Sequence, residues 1–495
     1  MEGTSQRRIS AYAAVLSVLA LLATACTSIT DRVSAELEEI EESLNELEEE
    51  PAEDPTDDEV VSDIDPEPLP EPPAENELLN DVPAEEDLDE IIDDAEEAAE
   101  PEVLLEAPEV TFRPIDGASE SSIEHVAYVE AFWTEVAPEL GFDYELINTK
   151  RLFPRSTLNE SDTCSFRRIQ EPIDGDIAAF NAYVSPCDEG VTMVWDDIGL
   201  EADLEERYPG AGMAMLISHE WGHVIQFQRN QWTTLPDIIA EQQADCYSGA
   251  YAAWAEDRGI EPFTNAEALD FAVLSTLETR DAVGSRPDEF GAHGNGFDRV
   301  RATQEGYDRG VTFCDSYEDT PPPITQTGFT SAADRENEGN LPFEPAFELL
   351  VPAVVDYFES LSSEPLQPFV DEPSERVLRE LHSEIGDLAI GTEYALRYGA
   401  ALQEANGDEV DGVGPALQRA CLTGSFLEEA LNRGIGDDGT GTGQAAGTLS
   451  PGDLDEAIIT FSSSDELLAN PGVVFEMIAA LRVGTLEGID ACALA

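Results

Sequence analysis

The chain has few basic residues. Lys and Arg together number 24 against 107 Asp and Glu, the formal net charge is −83, and Lys150 is the only lysine. Binding of nucleic-acid phosphates requires clustered Lys and Arg, so we exclude nucleic acid as a natural partner. The same shortage argues against docking of the protein surface on an anionic membrane. The acidity fits solubility at a cell surface or a salt-rich habitat, and charge alone does not separate the two.

The N-terminus carries an apolar run, residues 9–25, that is short for a membrane-spanning helix and follows Arg7-Arg8. This pattern predicts a signal peptide over residues 1–25. The run ends Leu22-Ala23-Thr24-Ala25-Cys26, which resembles a bacterial lipobox with Ala23 where Leu is usual. We therefore expect lipidation at Cys26 and an extracytoplasmic, membrane-anchored lipoprotein. Simple secretion and an uncleaved anchor are the alternatives.

Residues 26–110 are rich in Glu, Asp, Pro and Ala, and Arg32 is the only base between residues 31 and 108. Leu37, Ile40, Leu44 and Leu47 have helical spacing, so a short charged helix within 31–50 is possible. The remainder lacks enough apolar surface to offset backbone entropy. The sequence therefore predicts a disordered, lipid-anchored spacer between the membrane and the body.

The predicted body is α+β and mainly helical. Apolar periodicity predicts helices over 123–140, 212–229 and 235–257, and a small sheet from strands over 177–184 and 191–195. These elements form a first domain over 115–316. A Pro-rich and polar stretch from Pro321 to Asn340 separates it from a second, helical unit over 341–495.

The second unit resembles a degenerate copy of the first, because four short segments match in the same order. The matches pair 127–132 with 353–358, 221–226 with 398–403, 243–249 with 418–424, and 305–308 with 487–490. The copy lacks the middle of the first unit, including the strand pair. It is either structural, regulatory or substrate-holding.

Six cysteines remain after Cys26, and an exported chain favours disulfides. The repeat suggests two equivalent bridges, one in each copy, which leaves one local bridge on the predicted strands. The expected pairs are Cys246–Cys314, Cys421–Cys492 and Cys164–Cys187.

The chemistry-bearing motif is His219-Glu220-Trp221-Gly222-His223, an H-E-x-x-H sequence within a predicted helix. Residues four apart project from one face of a helix, so His219 and His223 can bind one Zn²⁺. Glu220 is then close enough to act as general base. The alternative is a pair of structural histidines on a buried helix.

A catalytic zinc site needs a third protein ligand and an open position. The next predicted helix offers Glu241 as that ligand and Asp245, four residues on, as a hydrogen-bond partner for a ligand histidine. Either acid could instead be an ordinary helix residue. The aligned positions of the second copy hold no ligand: Leu396, Arg397, Ala400, Ala416 and Ala420.

These motifs resemble the bacterial putative neutral zinc metallopeptidases, within the wider gluzincin class. The resemblance covers residues 120–315 and rests on 219–226, on 241–246, and on His293-Gly294 with Arg299-Val300 and Cys314. It departs at Asn295-Gly296-Phe297, where the family more often has small and polar residues. The resemblance implies a zincin-like domain, zinc as cofactor, His219, His223 and Glu241 as ligands, and a peptide or protein substrate.

The expected mechanism uses a zinc-activated water from which Glu220 removes a proton. His293 is a candidate donor to the oxyanion, or a residue that holds the loop 290–296 in place. By analogy of fold, the strand 191–195 could present an edge to an extended peptide. His125 and His382 are expected on a surface or helix face.

Two other function classes stay open. One is a non-catalytic surface lipoprotein with a structural zinc site. The other is a zinc hydrolase of non-peptide amide bonds, such as those of a cell wall. The sequence does not determine the oligomeric state.

Overall fold

The computed structural model describes residues 105–492, except 167–168, 189, 266, 368–372, 434–448 and 464–471. The predicted signal peptide, Cys26, the possible helix within 31–50 and most of the spacer lie outside the described residues. The end of the spacer contacts the body, because the backbone N–H of Leu105 donates to the carbonyl of Asp257 at 2.7 Å. None of the helices in the described ranges combines the length and apolar character of a membrane span.

The described chain is α+β and mainly helical, as the sequence predicts. In the first half the helices are α1 (Glu120–Val136), α2 (Leu200–Arg207), α3 (Ala211–Gln228), α4 (Asp237–Asp257), α5 (Ala268–Glu278) and α6 (Gly296–Asp315). In the second half they are α7 (Ala332–Glu336), α8 (Phe343–Leu361), α9 (Glu375–Glu384), α10 (Leu388–Asn406), α11 (Val413–Arg433), α12 (Asp453–Ser462) and α13 (Val474–Glu487).

The three helices expected around the motif are present with shifts of a few residues at their ends. The helix predicted over 123–140 is divided: α1 ends at Val136, and a 3₁₀ turn follows over Ala137–Leu140. Pro138 accounts for this end, because proline has no N–H to continue the α-helical ladder. Helix α3 begins after Gly210, whose φ of 71° places it in the left-handed region that glycine adopts without strain.

The sheet differs from the expectation in register and in strand order. Strands β1 (Leu152–Pro154), β4 (Ala182–Cys187) and β5 (Gly190–Trp195) form one sheet, and β2 (Thr163–Phe166) pairs with β3 (Ile169–Pro172). The run predicted over 177–184 becomes a strand only from Ala182, and the strand continues to Cys187 because β4 and β5 form a tight hairpin.

Strand β5, expected as a substrate-binding edge, is the central strand. It is antiparallel to β4 along its length and parallel to β1 from Met193 to Trp195, so both sides of its backbone are paired over these three residues. The prediction of an edge was therefore wrong for residues 193–195. The partner β1 is only three residues long, and its short sequence gave no strand signal.

Two hydrophobic cores organise the chain. One lies within residues 115–317 and the other mainly within 346–492. The second core also includes Val273 and Leu277 of α5 and Phe297 and Val300 of α6. Helices α5 and α6 therefore belong to both halves of the packing.

All three expected disulfides are present: Cys164–Cys187, Cys246–Cys314 and Cys421–Cys492. The last two close loops of similar length, with sequence separations of 68 and 71, and both have a Cα–Cα distance of 5.5 Å. Three disulfides are typical of proteins outside the reducing cytosol, which favours an extracytoplasmic location.

Helices α4 and α6 approach each other at two glycines beside the first of these bridges. A Cβ on Gly249 would lie 1.8 Å from the carbonyl oxygen of Thr303, and a Cβ on Gly306 would lie 1.7 Å from that of Cys246. Only glycine permits this contact, because any side chain would enter the backbone of the opposite helix.

Helices α11 and α13 reproduce the arrangement in the second half. A Cβ on Gly424 would lie 2.1 Å from the carbonyl oxygen of Leu481, and one on Gly484 would lie 2.0 Å from that of Cys421. The two glycines have the same sequence offsets from their bridge cysteines as the first pair. This recurrence of a disulfide with a glycine contact supports an internal duplication.

Candidate metal centre

The site is built where α3 crosses α4. A Cβ on Gly222 would lie 2.7 Å from the Cα of Ala244, so the glycine inside the H-E-x-x-H motif lets the helices approach closely. His219 and His223 project from α3 at this crossing, and their ring centroids are 4.9 Å apart. Helix α4 brings Glu241 between them.

The ligand atoms of His219, His223 and Glu241 form one cluster, all within 4.8 Å of one another. The Nε2 of His219 is 3.2 Å from Glu241 Oε2, and the Nε2 of His223 is 3.4 Å from Glu241 Oε1. Zinc bonds of about 2.0–2.1 Å at tetrahedral angles separate neighbouring ligand atoms by about 3.3 Å. The separations therefore fit a common zinc ion.

The Nδ1 atom of each histidine is held by an acceptor, so each Nε2 is directed to the cluster. The Nδ1–H of His219 donates to Asp245 Oδ1 at 2.8 Å, and that of His223 donates to Gln226 Oε1 at 3.0 Å. The amide of Gln226 is oriented in turn, because its Nε2 donates to the carbonyl of Ala240 at 2.6 Å. Such partners fix the tautomer that leaves Nε2 free to bind a metal.

Arg299 on α6 neutralises Asp245, a role that the sequence did not reveal. Its Nε and one terminal nitrogen each lie 2.8 Å from a different oxygen of the Asp245 carboxylate, and both side chains are almost fully buried. This bidentate pair fixes the acceptor that orients His219. Arg299 belongs to the segment on which the family resemblance rests, but its role needed the packing of α6 against α4.

Glu220 is buried at 4% exposure, and its Oε2 has no hydrogen-bond partner among the described residues. Burial raises the pKa of Glu220, and the positive charges of His223 and His219 oppose this only in part. The buried Oε2 of Glu241 faces His219 Nε2 at 3.2 Å and has no further hydrogen-bond partner in that part of the chain. Unpaired buried carboxylate oxygens are costly unless a cation or a water partners them.

The electrostatics of the cluster favour a cation. Burial would lower the pKa of His223, but the charge of Glu241 raises it above its ordinary value. Burial would raise the pKa of Glu241, but the charges of His223 and His219 hold it well below. The cluster therefore attracts protons to the atoms that would bind a metal ion. Protons and the metal ion compete for these atoms, because a histidine must be neutral to bind a metal.

His293 is not one of the clustered ligands. Its backbone N–H donates to Asp281 Oδ2 at 3.0 Å, and its Nδ1 is 3.2 Å from Asp281 Oδ1. The side chain is 45% exposed, and its charge lowers the pKa of Glu220 slightly against the effect of burial. His293 therefore lies near the site on a loop that Asp281 holds, which is compatible with both roles considered for it.

The other two histidines lie away from the cluster. His125 lies on α1, which agrees with the helix-face alternative of the expectation and not with the surface one. It is buried at 5% exposure, and burial lowers its pKa to about 4. His382 is partly exposed, and its Nε2 is 2.7 Å from the carbonyl of Leu341.

The departure from the family pattern at 295–297 has a structural explanation. Asn295 is the N-cap of α6, where its side chain accepts from the N–H of Asp298 at 2.9 Å. The N–H groups of Gly296 and Phe297 donate to the two oxygens of Asp455 at 3.0 and 2.9 Å. The segment thus anchors α6 to the second half of the chain.

In the second half an arginine takes the hydrogen-bonding place that His223 has beside Gln226 in the first half. Gln403 donates to Gln418 Oε1 at 2.6 Å and to the carbonyl of Pro415 at 2.9 Å, as Gln226 does in the first half. The acceptor oxygen of Gln403 receives Arg419 NH1 at 2.9 Å, where Gln226 receives His223. A fixed positive charge therefore stands beside the aligned ligand positions, which retain no ligand.

No family model, curated protein or solved structure matches the chain. The functional argument therefore rests on the residues and geometry described above.

Replacing Asp245 by Asn is expected to weaken zinc binding by about 10–100-fold. Asparagine can still accept a hydrogen bond, but it leaves the buried charge of Arg299 uncompensated near the ligands. Competition with a chromophoric chelator measures the affinity. Asp257→Asn, at the exposed end of the same helix, is the control and should bind zinc normally. Equal affinities in the two variants would contradict the proposed role of Asp245.

Proposed function

We propose that this chain is an extracytoplasmic zinc metallopeptidase with a zincin-like first domain. His219, His223 and Glu241 would hold the zinc ion, and Glu220 would act as general base. The observation that carries the proposal is the spacing of the ligand atoms, 3.2 and 3.4 Å from histidine Nε2 to the Glu241 oxygens, beside a buried and unpartnered Glu220 oxygen.

The number of ligands supports a catalytic rather than a structural zinc site. The cluster has three protein ligands, and no further His, Cys, Asp or Glu joins it within the described ranges. Structural zinc sites have four protein ligands, whereas catalytic sites keep one position for water or substrate. A structural site would also have no use for a buried general base such as Glu220.

When bound, zinc lowers the pKa of a water molecule and polarises the scissile carbonyl. Glu220 accepts the proton as the water attacks and delivers it to the leaving amine. Its raised pKa suits this exchange, because the base must also serve as the acid. Asp245, Arg299 and Gln226 keep the histidines in position, and His293 is a candidate donor to the oxyanion.

The test is cleavage of a peptide library by the full chain with and without 1,10-phenanthroline. We expect cleavage that the chelator abolishes, that excess Zn²⁺ restores, and that the non-chelating 1,7-isomer leaves unchanged. Cleavage that survives the chelator would overturn the proposal. A panel of cell-wall amides run in parallel tests the other zinc hydrolase class: cleavage of those amides without cleavage of peptides would replace the peptidase assignment.

A further inference from the structure

A second cluster of possible ligands lies in the second half, away from the zinc site. The carboxylate oxygens of Asp387, Asp453 and Glu456 lie within 4.8 Å of one another. Asp387 precedes α10, and the other two are in the first turn of α12. All three residues are buried, with 4–6% of their surface exposed.

The cluster holds three acids and no ion pair among the described residues. The charge of His382 acts on Asp387, but burial outweighs it and raises the pKa of that carboxyl. Burial raises the pKa of Asp453 well above its usual range, and burial together with the Asp387 charge raises the pKa of Glu456 to about 8. Buried acids of this kind are normally paired with a cation, protonated or bound to a metal.

The hydrogen bonds of the cluster leave oxygen atoms for a ligand. Asp387 Oδ2 accepts from the N–H of Leu341 at 2.8 Å, and Glu456 Oε2 accepts from that of Leu388 at 2.9 Å. Asp453 Oδ2 accepts from the N–H of Ser450 at 2.6 Å. The other Asp453 oxygen, Oδ1, is buried and has no hydrogen-bond partner in the described part of the chain. An unpartnered buried oxygen within the cluster is the second sign of a missing ligand.

The backbone around the cluster is shaped to accommodate the carboxylates. Gly386 has a φ of 148°, and a Cβ there would lie 2.0 Å from Glu456 Oε1. Any larger residue would displace Glu456 from the cluster. Gly452 precedes α12 with a φ of 100°, which turns the chain so that Asp453 and Glu456 both enter the site.

We propose that Asp387, Asp453 and Glu456 form a binding site for Ca²⁺. All three ligands are hard carboxylate oxygens, which select Ca²⁺ or Mg²⁺ over zinc. Mg²⁺ dehydrates reluctantly and usually keeps several waters, so a buried set of carboxylates favours Ca²⁺. This proposal does not rest on the zinc centre or on the proposed peptidase activity.

The bound ion would link the second half to the first. Asp455 lies between two of the proposed ligands and accepts from the N–H groups of Gly296 and Phe297 at the start of α6. The same helix carries Arg299, which holds Asp245 in the zinc site. Fixing the first turn of α12 would thus stabilise the anchor of α6.

The test compares the full-length wild type with Glu456→Gln and Asp453→Asn, each treated with chelator and then titrated with CaCl₂. We expect Ca²⁺ to raise the wild-type Tm by at least about 2 °C, since ligand binding to the folded state stabilises it. Equilibrium dialysis with radioactive calcium should show one high-affinity site in the wild type that both variants lack. The zinc site is the same in all three proteins, so its response to the chelator cancels in the comparison.

The direction in which Glu456→Gln changes the Tm tests the proposal, because we expect it to differ with and without Ca²⁺. In chelator, Glu456→Gln should be at least as stable as the wild type, because the amide cannot ionise and so avoids the cost of a buried charge beside Asp387. In Ca²⁺ the order should reverse. Glu359→Gln, an exposed residue of α8, is the control for binding to the acidic surface and should respond to Ca²⁺ like the wild type. An equal rise in Tm in every variant, no rise in the wild type, or an equal response to Mg²⁺ would overturn the proposal.

Discussion

Glu220→Gln is expected to retain one zinc per chain and to lose peptide cleavage by about 10²–10⁴-fold in kcat. Glutamine has nearly the same shape as glutamate but cannot accept the proton of the attacking water. Zinc should remain, because Glu220 does not belong to the cluster of ligand atoms. The buried site should tolerate the change, since removal of an unpaired charge lowers a desolvation cost.

The measurement pairs steady-state kinetics on a cleaved peptide with zinc content by mass spectrometry. Glu139→Gln is the matched control, because this glutamate is exposed and far along the chain from the motif. It should leave both quantities unchanged. Undiminished cleavage by Glu220→Gln would refute the role of Glu220, and loss of zinc from that variant would show that Glu220 is a ligand.

Glu241→Ala is expected to lower the affinity for zinc by about three orders of magnitude. A structural zinc site contributes about 10–16 kcal/mol, so one ligand of a small set accounts for several kcal/mol of that total. The variant keeps His219 and His223 but loses the carboxylate that contacts both. Cleavage should disappear with the metal and return in part at high zinc concentration.

Zinc bound after dialysis against a weak chelator measures this loss. Glu206→Ala, an exposed residue of α2, is the control and should keep its zinc. If Glu241→Ala retained zinc with wild-type affinity, the third ligand would be a different residue. Comparison of Glu241→Ala with Glu220→Gln separates metal binding from catalysis. We expect Glu241→Ala to lose the zinc ion and Glu220→Gln to lose only peptide cleavage.

Much of the candidate site could be predicted because its signals are local. A spacing of four residues puts His219 and His223 on one face of any helix, whatever surrounds it. Glu241 and Asp245 have the same spacing on the following helix, so one crossing aligns both pairs. The disulfides also followed from the sequence, but by a different route: the repeat placed Cys246 and Cys421 at equivalent positions.

The structure was needed wherever a partner is distant in sequence. Arg299 lies on α6, and nothing in its local pattern indicates that it would meet Asp245. The position of β5 at the centre of the sheet depends on β1, a strand of three residues. The absence of zinc ligands from the aligned positions of the second copy could be read from the sequence, but the hydrogen bond from Arg419 to Gln403 beside them could not.

The sequence by itself determined which residues form the candidate site, because helical periodicity and motif spacing are properties of neighbouring residues. The tertiary structure decided which charged side chains neutralise these residues and which carboxylate oxygens lie close together. Asp387 precedes α10 and Glu456 lies in α12, and only packing brings their carboxylates together. Removing a carboxylate from water costs free energy only in the folded chain, where the acid is buried. The need for a neutralising cation therefore follows from the tertiary structure and not from the sequence.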